Sequence, residues 1–286
     1  MHDPYGGLAD LKAGFLRVLH GLSFHDDPTR AFRAARFAAR LDLRLAPETL
    51  GLMAAARRAG SFDALGRERL GGELDRILAE PAVVQAFRLL REWRLLPVIH
   101  KRFDATRGFL ERLQDARSAA ARAGGVLGDE APSQAEVLWL AVASAIPRPD
   151  RATLDRMIPG GHKARRRFRE GAEKAKRAVS ALAKAKRPSD AAKLLERLDP
   201  AELVYALGLA EGRGHGRWID WWLQEGRAIE PAFGGDELLA QGFRQGPAFG
   251  RALDAARRKA WDGADWEAQI AAARAVLVKV GRDQAG

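Results

Sequence analysis

The 286 residues are 47% hydrophobic and 30% charged, with a formal net charge of +11 and no cysteine. That apolar fraction excludes a wholly disordered chain, and the missing thiols exclude a disulfide scaffold or a thiolate metal site. The longest apolar run, VLWLAVASAIP at 137–147, is too short to span a bilayer, and MHDPYGGLAD lacks the basic start and apolar core of a signal peptide, so no membrane association and a cytoplasmic location are expected.

β-Branched residues are scarce while Ala, Leu and Arg abound, a composition that favours helices. Residues 1–24 read as a lead-in segment, with Gly6-Gly7 as a turn before Leu8–Leu19. Helical spacing of apolar residues then predicts helices over 28–42, 48–59 and 67–80. Pro81–Leu96 places Val83, Phe87, Leu90 and Trp93 on one side of a further helix. A helix over 104–123 leads to AGGVLGDEAPS, the clearest loop, at 123–133. Helices over 133–146, 189–197, 200–211, 247–261 and 265–280 follow, with breaks at Gly212–Gly216 and Gly234–Gly235. No run alternates with period two, so the expected fold class is all-α.

Charge is concentrated between His162 and Arg187, where eleven Lys or Arg face two Glu, a local balance of +9. As one helix this stretch would present Lys163, Arg165, Arg166, Arg167, Arg169, Lys174, Lys176 and Arg177 to a polyanion such as an RNA backbone. A merely solvated helix is the plain alternative. The six histidines (2, 20, 25, 100, 162 and 215) fall in no metal-binding spacing, and no metal site is expected from this chain. Trp218, Trp221 and Trp222 can stack on bases, but their helical spacing favours a place in the core.

The stretch SFHDDPTRAFRAARFAAR at 23–40 carries the most information. Pro28 suits the first helical position and makes Asp27 the cap. Arg30 in the first turn then opposes the helix dipole, where Glu or Gln would complete a capping box. A carboxylate acceptor beside a guanidinium donor can read the Watson–Crick edge of a base, and an ordinary cap with a local ion pair fits the spacing equally well.

Asp26-Asp27-Pro28-Thr29-Arg30, continuing through Arg33-Ala34-Ala35-Arg36-Phe37, resembles the neck motif of the bacterial tRNA nucleotidyltransferase and poly(A) polymerase family, Asp/Glu-Asp-Pro-x-Arg-x-x-Arg-Ala-x-Arg-Phe. Asp3-Pro4-Tyr5-Gly6-Gly7 with Asp10 and Arg17 is similar to its hinge between catalytic head and neck. Arg67-Glu68-Arg69 with Glu73-Leu74 resembles its Glu-Arg-x-x-x-Glu-Leu motif. Gly235-Asp236-Glu237, Gly246-Pro247 and Asp262-Gly263 resemble its tail.

The resemblance implies an elongated arrangement of helices: a hinge over 1–24, a neck over 25–123, a body with the basic helix over 134–187 and a tRNA-binding tail over 188–286. It implies that Asp27 and Arg30 select ATP or CTP for addition to a tRNA 3′ end without a nucleic-acid template. Asp26, on a shorter arm than the usual Glu, supports them. Arg33 and Arg36 brace the site or meet the triphosphate, while Glu68, Arg69 and Glu73 brace the neck helices. Arg69 and Glu73 are themselves spaced for an i,i+4 ion pair. Gly246 precedes a helix start that can hold an RNA phosphate. Mg²⁺ is expected only with the family's β-sheet head, whose Asp-x-Asp pair this sequence lacks. The chain begins almost where that head should end, so it is expected to bind but not to catalyse alone. The alternatives are a headless RNA-binding module acting with a separate catalytic subunit and a poly(A) polymerase fragment.

Overall fold

The computed structural model describes residues 3–104, 106–243 and 246–283, and they are almost entirely helical. His2 of the histidine set lies outside them. The described residues form an all-α fold, and none of their helices is long and apolar enough to cross a membrane. Two compact units result, one reaching Lys176 and including Pro200–Leu209, the other comprising Arg177–Asp199 and the residues from Ala210 onward.

The first unit opens with α1 (Gly7–Ala13), which ends at Gly14 in the left-handed region (φ 74°). Gly14 turns the chain into β1 (Phe15–Leu16), paired in parallel with β2 (Arg44–Leu45) so that Phe15 faces Arg44 and Leu16 faces Leu45. The sequence pattern predicts no strand, because two residues are too few to alternate. Between the strands lie α2 (Ser23–Asp26) and α3 (Thr29–Leu41). α4 (Pro47–Arg58) follows β2. Ala31, Phe32, Ala35 and Ala38 of α3 are buried, and α3 packs against α5 (Arg67–Ala79) and α6 (Val83–Glu92).

The single helix expected over 81–96 is broken. α6 stops at Glu92, Arg94 adopts a left-handed conformation (φ 58°), and α7 (Leu96–Ile99) starts afresh. Val83, Phe87, Leu90 and Trp93 are nevertheless all buried, as their spacing predicts.

The loop expected from 123 begins later. α8 (Arg107–Leu127) runs through Gly124-Gly125, because Ala119, Ala123 and Leu127 continue its buried face. Packing at every fourth residue outweighs the roughly 1 kcal/mol per glycine that a helix interior loses relative to Ala. α9 (Gln134–Ser144) starts in a capping box between Ser133 and Glu136 and is buried on nearly all sides. α10 (His162–Leu182) buries Phe168, Ala172 and Ala175.

α11 (Pro188–Leu195) lies in the second unit, whereas α12 (Pro200–Leu209) packs on α8 and α9 in the first. The second unit continues with α13 (Arg217–Gln224), α14 (Gly235–Ala240), α15 (Ala248–Trp261) and α16 (Trp266–Asp283). Its core joins Leu238, Phe249, Ala252 and Ala256 to Ile270 and Ala273. The Asp262 carboxylate accepts the Ser189 N–H and Oγ–H, both at 2.9 Å, and so pins the first turn of α11. Trp222 is buried with its ring 5.9 Å from that of Trp261, while Trp218 and Trp221 are half-buried beside it.

Candidate nucleotide-reading and RNA-contacting sites

The chain between α2 and α3 is extended at Asp27 (φ −145°, ψ 93°), after which Pro28 sets the direction of α3. Asp27 stands one residue outside the N-cap, which Pro28 takes, because α3 starts at Thr29 and not at Pro28 as the sequence predicts. Its Oδ1 accepts the Thr29 N–H at 3.0 Å and the Thr29 hydroxyl at 2.6 Å. A third donor, Nη2 of Arg69 in the first turn of α5, reaches the same oxygen at 2.9 Å. Oδ1 is thereby saturated, and no described residue donates to Oδ2. Burial by itself would raise the Asp27 carboxyl, but the two Thr29 bonds and the charges of Arg69 and Arg30 outweigh it and hold the group below its ordinary range. The result is a fixed, ionised acceptor with one oxygen to spare.

Arg30 donates from Nη1 to the Ser23 carbonyl at 3.2 Å, which folds its side chain back along α2. It lines a cavity of about 440 Å³ together with Arg33, Phe37, Arg17 and His20. Asp27 itself is not on that cavity's wall. Asp26 is exposed, 3.8 Å from His20 Nε2. His25 meets the Ser61 hydroxyl through Nδ1 at 2.8 Å.

The remaining supporting residues separate into distinct places. Arg36 is a brace: its guanidinium pairs with Glu80 at 3.1 Å and covers the Phe37 ring at 4.5 Å. Arg33 faces the cavity instead. Glu68 is exposed, with no ion pair among the described residues. The i,i+4 pair of Arg69 with Glu73 does not form. Glu73 is buried on the core side of α5 and takes Arg76 at 2.7 Å, while Arg69 turns outward to Asp27.

Along α10, Arg167 pairs with Glu136 at 2.9 Å and Arg169 with Asp155 at 3.6 Å. Lys174 pairs with Glu202, and Lys176 with Glu173 at 3.2 Å. Lys163, Arg165, Arg166 and Arg177 are exposed and form no ion pair with described residues. Lys163 and Arg166 lie opposite the side that buries Phe168, Ala172 and Ala175. Gly246 is exposed just ahead of α15, and its carbonyl accepts the Phe249 N–H at 2.9 Å.

Over 106 residues the chain is 44% identical to the multifunctional CCA protein of Nitrosomonas eutropha, a match covering 37% of this chain and 26% of the relative. Over 258 residues, 88% of this chain, it is 29% identical to the A-adding tRNA nucleotidyltransferase of Geobacter sulfurreducens, of which 29% is covered. In sequence the chain is similar to members of the bacterial tRNA nucleotidyltransferase family. It spans little more than a quarter of the length of these curated relatives. No protein-family model matches it. Its fold is that of a solved CCA-adding enzyme in complex with CTP (TM-score 0.83, 22% identity), with 97% of this chain and 66% of that one covered. The Thermotoga maritima CCA-adding enzyme complexed with tRNA is similar to the same degree (TM-score 0.82, 22% identity), with 97% and 67% covered.

Two partners of the candidate site residues escape a local reading of the sequence. Thr29 supplies two of the three bonds on Asp27, and its place one residue after Pro28 is the only local signal. Glu80 clamps Arg36 and also lies 3.6 Å from Arg40, yet nothing near it in sequence marks the role.

Proposed function

We propose that this chain is the base-reading and RNA-binding part of a template-independent tRNA nucleotidyltransferase that adds C, A or both to a tRNA 3′ end. Asp27 and Arg30 read the incoming ATP or CTP. The observation that carries the reading is the state of Asp27, a carboxylate whose Oδ1 is held by Thr29 and Arg69 while Oδ2 has no donor among the described residues. Cytosine and adenine both offer an exocyclic amine to such an acceptor, and both offer a ring acceptor to a guanidinium. Guanine and uracil present a carbonyl at the equivalent position, which the carboxylate repels. A base is thereby chosen by the match of its donors and acceptors to Asp27, which Thr29 and Arg69 already hold, and to Arg30, which has to leave the Ser23 carbonyl to join it.

Mg²⁺, which would activate the attacking hydroxyl in this chemistry, does not fit these residues. Among the described residues no group of three or more His, Asp or Glu converges to hold a metal ion, and the sequence has no Asp-x-Asp. The roles assigned to this chain are accordingly selection of the base and grip on the RNA. Lys163, Arg165, Arg166 and Arg177 are the α10 cations left available for phosphate. Arg167, Arg169, Lys174 and Lys176 would have to exchange an internal partner for it.

Equilibrium binding of the four nucleoside triphosphates to the purified chain tests the reading. ATP and CTP should bind at least ten-fold more tightly than GTP and UTP, and Asp27→Ala should remove most of that difference while leaving RNA affinity in place. Equal binding of all four by the unmodified chain would contradict it.

A further inference from the structure

The first unit carries a second and larger depression, a groove of about 1190 Å³ whose walls include Arg57, Arg67, Arg91, Arg94, Lys101 and Arg102 against the carboxylates Asp63 and Asp150. These six cations come from the end of α4, the start of α5, the end of α6 and the segment after α7. Two of them hold the groove together. Arg67 Nη1 donates to the carbonyls of Val98 (3.2 Å) and Ile99 (3.0 Å), and Arg102 grips Asp150. Asp150 is further engaged by His100, at 3.4 Å. Arg57, Arg94 and Lys101 form no ion pair with any described residue.

Arg57 and Arg91 sit at helix C-termini, where the dipole alone favours a cation. Arg94, one residue past the C-cap of α6, and Lys101, just past the short α7, lie near such ends too. Arg94 is the telling residue. Its N–H bonds the Arg91 carbonyl at 3.0 Å, and the Leu95 N–H bonds the Leu90 carbonyl at 2.8 Å, closing the end of α6 with Arg94 left-handed at φ 58°. Glycine or asparagine is the ordinary occupant of such a position, since a larger L-residue is strained there. Here that position puts a guanidinium on the wall of a cationic groove.

We propose that this groove binds the sugar–phosphate backbone of RNA. Five of its six cations are arginines, whose planar forks match phosphate oxygens two at a time. They come from four separate stretches of the chain around a depression of about 1190 Å³, a size that suits a run of phosphates better than a single small anion. The proposal rests on RNA being a partner of the chain, as argued above, and adds a place for it that neither Asp27 nor α10 provides.

Fluorescence anisotropy of a labelled tRNA transcript, titrated with the full chain at several salt concentrations, is the test. Arg94→Gly relieves the strained backbone, so the variant should fold at least as well as the parent. It should bind several-fold more weakly, with the slope of log affinity against log salt shallower by about 0.7–0.9 for each phosphate that is no longer neutralised. Arg57→Ala with Lys101→Ala should lose about twice as much slope. If both groove variants keep the parental affinity and slope while Lys163→Glu with Arg166→Glu weakens binding, the groove proposal alone is overturned. If the parent chain binds no tRNA at low salt, the proposal and the RNA-binding reading fail together. Displacement of the tRNA by polyglutamate of equal charge as readily as by unlabelled tRNA would overturn the assignment to RNA.

Discussion

At the junction of α2 and α3 one carboxylate is fixed by three donors, two on neighbouring Thr29 and one on Arg69 from α5, whereas along α10 the cations up to Lys176 are divided between internal ion pairs and solvent. The junction depends on position. Thr29 holds Oδ1 from the adjoining turn, and a displaced α5 would loosen the third bond, from Arg69. The exposed face of α10 depends only on the amount of charge, because long flexible side chains can follow a phosphate through such shifts. If the proposed function holds, the first kind of construction serves the base, and the second suffices for holding the RNA.

The sharpest way to break the junction acts from behind it. Gly71 in α5 faces the chain at Met157 so closely that a Cβ there would lie 2.0 Å from the Met157 carbonyl oxygen. Overpacking usually costs about 1–3 kcal/mol, and a backbone atom cannot rotate away as a side chain can, so Gly71→Ala should cost about 3 kcal/mol or more. Urea denaturation measures the loss. Because Arg69 lies just before Gly71 on the same helix, surviving folded protein should also discriminate poorly between ATP and GTP. Unchanged stability would show that α5 can slide, and the positional argument would fall with it.

The contrast along α10 is sharpened by two double charge reversals on the one helix. Lys163→Glu with Arg166→Glu alters only solvent-facing cations. It should lower tRNA affinity ten-fold or more at about 100 mM salt with little change in thermal midpoint. Arg167→Glu with Arg169→Glu strikes paired residues. Arg167 is only 13% exposed and holds Glu136, whose carboxyl burial would raise but which the Arg167 and Ser133 bonds keep low. Facing carboxylates there should destabilise the fold by about 2 kcal/mol. Equal effects of both reversals on stability would mean that the division of α10 into paired and unpaired cations has no energetic content.

What was legible in the sequence follows the same line. Asp27-Pro28 announces a helix start because the chemistry of such a start is local, and the structure keeps it to within one residue. The buried set Val83, Phe87, Leu90 and Trp93 is likewise local periodicity. The partner of Arg69 was not legible, since Asp27 lies 42 residues away and the i,i+4 neighbour Glu73 offers the same charge. Arg36 and Glu80 are 44 residues apart and equally silent. The continuation of α8 through Gly124-Gly125 and the two-residue β pair were hidden for a related reason. Both are decided by what packs alongside, which no window of sequence contains.

The smallest expected effect concerns protons at the junction. Asp27 is held below its ordinary value of 3.8. A carboxylate depressed in the folded chain contributes stability above its unfolded value, and loses that contribution as pH falls through the lower folded value. Base selection should therefore be flat through neutral pH, with Asp27 ionised throughout that range. A ¹³C NMR titration of the carboxyl would locate the midpoint below 3.8. The opposing influences fix the order of the variants. Burial pulls upward, the Thr29 hydroxyl is the strongest of the downward influences, and Arg69 and Arg30 follow. Thr29→Val should accordingly raise the midpoint more than Arg69→Met, even though Arg69 carries a full charge. The Arg69 side chain is 61% exposed and water screens it, whereas the Thr29 bond is made in the shelter of the helix start. If Arg69→Met moved the midpoint further, the junction would be governed by net charge after all, and would differ from α10 only in sign.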